Sequence, residues 1–147
     1  MEDRHEKYAG LIVVQDVLDV VQQEHAVVLQ LLEKMDTIIR REELIQLLLV
    51  LRAALEDHFC LEGSRLYPLL KSDHYVAKNK DMIATIDLLK NANLSDSHLL
   101  IMIDHCLTKS NEDFLIYLHN IFLLLRIRIS YENLVFNSLK TLYRQER

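Results

Sequence analysis

The chain has 147 residues, half of them apolar, and a formal charge of −5. That length makes a single domain, residues 1–147, which can bury a sizeable core without disulfides, and the acidic balance argues against general nucleic-acid binding. Two glycines and one proline, where average usage gives roughly ten and seven, leave too little turn material for an all-β or α/β fold, so the class is all-α.

The N-terminus, MEDRHEKYAG, has no basic region followed by an apolar one, so a secretory signal is not expected. From Leu11 the apolar positions run Leu11, Val14, Leu18, Val21, His25, Val28, Leu32, Met35 and Ile39 in steps of three and four. This is the stripe of an amphipathic helix packed in a bundle, and His25 alone interrupts it. A short turn between Asp36 and Arg41 predicts that the next helix runs antiparallel.

That second helix, about Arg41 to Leu70, presents Leu44, Leu48, Leu51, Leu55, His58, Glu62, Leu66 and Leu69 inward, and Pro68 marks where it must stop. His58 and Glu62 are four residues apart and therefore stack on one face. His25 lies about 15 residues before the turn and His58 about 17 after it, which at about 1.5 Å per residue puts both near 25 Å from the turn, facing each other.

A third helix is predicted over roughly His74 to Lys90, carrying Met82, Ile86 and Leu89, with a break at NANLSDS (91–97) where capping residues are concentrated. A short apolar segment, His98 to Thr108, follows. Ser110 and Asp113 then start the last long helix, whose inner face reads Phe114, Leu118, Ile121, Leu125, Arg128, Glu132, Val135, Leu139 and Leu142. Its apolar run Phe114 to Leu125 is broken by His119 and Asn120 and falls short of a membrane span, so a soluble, cytoplasmic protein is expected. Lys140, Arg144 and Arg147 complement the dipole at its C-terminus. Arg128 and Glu132 repeat the offset of His58 and Glu62, and both pairs begin 17 residues after the start of their helix. The expected architecture is an up-down four-helix bundle of two antiparallel helical hairpins related by an internal repeat, with a break in helix three.

His25, His58 and Glu62 form a candidate metal site, because a buried carboxylate needs a cation or a donor. Imidazole and carboxylate ligands inside a helical bundle suit iron, manganese or zinc. Cys60 and Cys106 have no zinc-ribbon spacing and read as small buried hydrophobes. There is no Gly-rich phosphate loop and no nucleophile elbow, so nothing points to an enzyme of another kind.

The segments QQEHAVVLQLLEKM and EDHFCLEGSRLYPLL resemble the first two helices of the hemerythrin-like family, whose signature is an early His followed by HFxxE closing in LYP or LFP. The likeness covers residues 15–70. It implies a four-helix bundle binding non-haem iron, mononuclear or di-iron, with O2 or a similar small ligand, in oxygen, redox or iron sensing or regulation. By that resemblance His25, His58 and Glu62 fall on ligand positions and Glu132 on the bridging carboxylate of the second half. The family's second HxxxE is replaced here by Arg128, a permanent cation that cannot ligate metal. For the histidine of helix three the candidate is His98, about 8 Å short of the level of Arg128 on a hairpin count. His74 and His105 fit less well, and His5 and His119 read as surface residues.

A shorter likeness leads elsewhere. Residues 128–133, RISYEN, resemble the RFxxED motif on helix four of the bacterial regulators of sigma D, which are helical anti-sigma proteins. This implies a metal-free regulatory bundle binding a sigma factor or similar partner, with the Arg128 guanidinium between Glu62 and Glu132 in place of the metal.

Overall fold

The computed structural model describes the backbone of residues 4–92 and 94–145 and the side chains of residues 14–91 and 96–145; the side chains of His5 and Leu11, all of Arg147 and part of the 91–97 segment lie outside the described residues. Everything described is helix or short connection, and no strand occurs among the described residues. In chain order the elements are α1 (Arg4–Asp36), α2 (Arg41–Leu61), a π turn (Glu62–Leu66), α3 (Tyr67–Ser72), α4 (His74–Ala77), α5 (Lys80–Ala92), α6 (Leu94–Leu107) and α7 (Asn111–Gln145). Four of them make the frame: α1 packs on α2 and α7, and α6 packs on the same two. Helix α5 packs against α3, α4 and the start of α6.

The predicted stripes become the core with four shifts. Ile39 is 96% exposed, because α1 ends at Asp36 and the residue falls in the turn. At the end of α7 the buried side chain is Tyr143 instead of Leu142, and Ile129 is buried where Arg128 stands at the edge. Leu70 is buried and Leu69 only partly. Cys106 is buried as expected, but Cys60 is exposed.

Pro68 does not stop the second helix. The backbone stays right-handed through Leu66 and Tyr67 and ends at Ser72, with Asp73 extended. In a regular helix the proline ring would crowd the carbonyl four residues back and leave it without a donor. Here the bonding has already slipped by one residue: the Tyr67 N–H donates to the Glu62 carbonyl, five residues back. Beyond Ser72, the Asp73 carboxylate accepts from the Tyr75 and Val76 N–H groups at 3.0 and 3.1 Å and starts α4. The third helix is more broken than expected, with an interruption at Lys78 and Asn79 as well, while α6 begins earlier, at Leu94.

The apolar core divides in two. One cluster joins Val14 to Val21 of α1 with Leu66 to Leu70, α4, α5 and the end of α7 from Val135. The other joins Val28 to Met35 with Leu44 to Leu55, α6 and α7 up to Ile129. His25, His58, Glu62 and Glu132, all buried, fall in the interval between them on each chain segment. A polar layer therefore crosses an otherwise apolar interior.

Within this frame Leu118→Ala should cost about 2–5 kcal/mol and Asp73→Ala about 1 kcal/mol. Ile39→Ser should change stability by less than about 0.5 kcal/mol. Urea unfolding midpoints at constant slope would measure all three.

Candidate metal centre

Three helices and the π turn supply the layer. His25 comes from the middle of α1, His58 from the last turn of α2, Glu62 from the first residue of the π turn and Glu132 from α7. One ligand atom from each of the four lies within 4.8 Å of every other. His25 Nε2 is 3.1 Å from His58 Nε2 and 2.8 Å from Glu132 Oε2. His58 Nε2 is 2.6 Å from Glu62 Oε1 and 3.9 Å from Glu132 Oε2. Glu62 Oε1 approaches that ring nitrogen without an aligned hydrogen bond, so it is an acceptor buried without a donor.

Behind each of these atoms stands a second partner. His25 Nδ1 is 2.7 Å from Asn133 Oδ1, and His58 Nδ1 is 3.0 Å from Glu24 Oε1. Two N–H groups donated to those oxygens leave both Nε2 atoms as bare lone pairs facing the centre. The outer oxygen of Glu62, Oε2, accepts from the Tyr67 hydroxyl at 2.9 Å. The outer oxygen of Glu132, Oε1, accepts from Arg128 Nε at 2.9 Å. The His25 ring is further fixed by stacking on Phe136, 6.0 Å between centroids. Four Lewis bases thus converge on one point, and each is held from behind. Lone pairs at these separations repel unless a positive charge lies among them. The cluster can hold a metal ion.

In the absence of a metal, protons fill part of the need. Burial pulls the His58 pKa down, but the surrounding carboxylates of Glu132, Glu62 and Glu24 overcome it and raise the value to about 10. For Glu132 burial acts upward, yet the neighbouring His25 and His58 rings and the Arg128 charge hold it well below the usual carboxylate range. Burial pushes the Tyr67 phenol far up, helped by the charges of Glu62 and Glu132, so it remains a neutral donor.

Of the residues singled out in the sequence, His25, His58, Glu62 and Glu132 come together, and His98 does not. Its side chain is exposed beside α7, in a groove with Leu99 and Tyr131. Helix α6 buries Asp96, Leu99, Ile103 and Cys106, in steps of three and four, and His98 sits off that face. Arg128 also differs from expectation. Its guanidinium ion-pairs with Glu132 and Asp96, and stacks over the Phe59 ring at 5.3 Å. Burial, only partly opposed by Arg128, lifts the Asp96 pKa to about 7, with Glu62 and Glu132 adding to the rise. Asp96, Glu24, Asn133 and Tyr67 were not anticipated. For Asp96 the signal was its register with Leu99, Ile103 and Cys106; for the others there was none before the helices were placed.

Comparison with protein-family models, with curated proteins and with solved structures finds no match to this chain.

The titrations give a signed expectation for metal-free protein. His58 has a folded pKa near 10 against 6.5 unfolded, so its stabilising contribution is complete below pH 6.5 and is lost as pH rises through about 10. Asp96, raised from 3.8 to about 7, acts in the same direction at lower pH. Glu132, lowered, contributes stability above 4.5 that is lost only in strong acid. Unfolding midpoints of chelator-treated protein should therefore fall steadily from pH 6 to pH 10. A midpoint rising over that range would contradict the assignment of His58 as the proton carrier.

Proposed function

We propose that this chain is a divergent hemerythrin-like protein: an up-down four-helix bundle of α1, α2, α6 and α7 that holds one non-haem iron ion in its polar layer and serves oxygen, redox or iron sensing or regulation. The observation that carries the reading is the convergence of four ligand atoms whose outer atoms are all engaged by other side chains. His25 and His58 would bind through Nε2, Glu62 through Oε1 and Glu132 through Oε2. Two imidazoles and two carboxylates form a mixed nitrogen and oxygen set of intermediate hardness, which suits ferrous iron and also admits manganese and zinc. A bound iron supplies a one-electron change that responds to oxygen.

The protein's own part is to hold the donors. Glu24 and Asn133 fix the imidazole tautomers, and the Tyr67 hydroxyl and Arg128 turn the carboxylates so that one oxygen of each faces the centre. The same contacts argue for one ion over two. A bridging carboxylate needs both oxygens free for metal, and the outer oxygen of Glu132 is taken by a permanent cation. On this reading Arg128, with Asp96 as its counter-ion, occupies the side where a second ion would lie.

A metal-free regulatory bundle binding a sigma factor or similar partner is the second reading. It is favoured by the Arg128, Asp96 and Glu132 network and by a His58 that carries a proton in the absence of metal.

Protein purified anaerobically from iron-supplemented cells should contain about one iron per chain by plasma mass spectrometry. His58→Ala should reduce that to background. Arg128→His removes the fixed cation and places an imidazole beside Asp96 and the outer oxygen of Glu132. Iron content should then rise above one per chain, and no rise would defeat the idea that Arg128 holds the second position. Metal at background in the native protein would transfer the reading to the regulatory bundle.

A further inference from the structure

Helix α7 buries one face in the core, yet its opposite face is also apolar. Ile116, Leu123, Ile127 and Leu134 are 59%, 58%, 59% and 65% exposed. Their spacing of seven, four and seven keeps them in one stripe, about 27 Å long at about 1.5 Å per residue. Leu124 and Tyr131 extend the stripe toward α6. There, between the two helices, runs a groove of about 360 Å³ lined by Leu99, Met102, Leu124, Ile127 and Tyr131, with His98 and Arg128 also at its wall.

We infer that this face of α7, with the groove beside it, is where a second copy of the chain binds. At about 100 Å² per exposed apolar side chain the six amount to roughly 600 Å². That is the upper end of the range for the largest apolar patch of a typical monomer, about 300–600 Å², and with the groove wall on α6 added it approaches the roughly 800 Å² per partner of a standard stable interface. The face also suits itself. A ridge of Ile and Leu lies next to a groove lined by apolar side chains, so a two-fold axis can seat the ridge of each copy in the groove of the other. The stripe positions between its apolar residues are the uncharged Asn120 and Ser130, and Arg128 at the groove wall is already ion-paired to Asp96 and Glu132.

A lipid surface is the competing occupant. Helix α7 contains an 18-residue window of mean hydropathy 1.3, long and apolar enough by length and composition to cross a membrane. Membrane-surface helices, however, carry free basic residues beside the apolar face. Here Arg126 is ion-paired to Asp36 and Arg128 to Asp96 and Glu132, and the chain as a whole is acidic. The self-complementary face therefore fits a second copy better.

Sedimentation velocity of the full chain, from about 1 to 100 μM, is the test. A dimer is expected, and Leu123→Glu and Ile127→Glu should each weaken it by at least about tenfold, the effect of losing one interface anchor. Val50→Glu, equally exposed but on α2, should leave the dimer intact. Leu134→Glu at the far end of the stripe provides a second reading should Ile127→Glu lose helicity by circular dichroism. A monomer throughout the range would overturn the inference, as would a dimer untouched by the stripe variants. Monomeric protein that binds phosphatidylcholine vesicles, and loses that binding in the stripe variants, would assign the face to lipid and overturn it equally.

Discussion

The structure depends on placing charge inside a helical core. Between its two apolar clusters lie two imidazoles, the carboxylates of Glu62, Glu132 and Asp96, and the Arg128 guanidinium, the guanidinium alone being more than about a tenth exposed. If all three carboxylates are ionised, three negative charges face one fixed positive charge, a deficit of two. Burying that imbalance costs several kcal/mol per uncompensated ion, so the layer must acquire positive charge or lose negative charge. The apolar clusters on either side supply the stability that makes this tolerable, and they hold the helices at the spacing that brings the ligand atoms within 4.8 Å.

Two ways of closing the deficit are built from the same residues. A divalent cation among the four ligand atoms supplies both charges at once and leaves the imidazoles neutral. Protons supply them separately: one on His58, held up to about 10 by its carboxylate neighbours, and one on Asp96, held up to about 7 by burial. Metal binding therefore competes with protonation, and the cation must displace the His58 proton before that nitrogen can ligate. Arg128 stands outside this exchange. It stays charged in either state, because burial works against it less than the surrounding carboxylates work for it.

Much of this was legible from residue spacing. An α-helix has a fixed rise, so counting from one short turn was enough to set His25 against His58, and the four-residue offset brought in Glu62, while Glu132 entered only through the resemblance to a known family. What could not be read are the groups behind the ligands. Asn133 and Glu24 each neighbour a residue of the site in sequence, but which of them meets a ring nitrogen depends on the rotation of α1 against α2 and α7. His98 was drawn in because the resemblance to the hemerythrin-like family called for a histidine ligand on the third helix. Yet α6 starts at Leu94 and turns Asp96 inward, so the third helix contributes a carboxylate to Arg128 instead of an imidazole to a metal. The substitution is consistent in chemistry: an arginine at 128 needs an anion where a metal would have needed a histidine.

Pro68 shows why a local rule can be right about cost and wrong about outcome. A proline two residues into α3 cannot donate to Ser64, and a regular helix would break there. The chain meets this by inserting an extra residue just upstream, so that hydrogen bonds run five residues back through the π turn. In a regular helix residue 67 would lie well round the cylinder from residue 62. The extra residue rotates Tyr67 back over Glu62, and its hydroxyl reaches the outer carboxylate oxygen at 2.9 Å. The distortion that accommodates the proline is thus also what supplies the donor to Glu62 Oε2, leaving Oε1 directed at the two imidazoles. Regularising the turn by deleting one of its residues would remove the Tyr67 contact and shift Leu66 and Leu70 off the core face together, which ties the geometry of the site to the packing of the cluster beneath it.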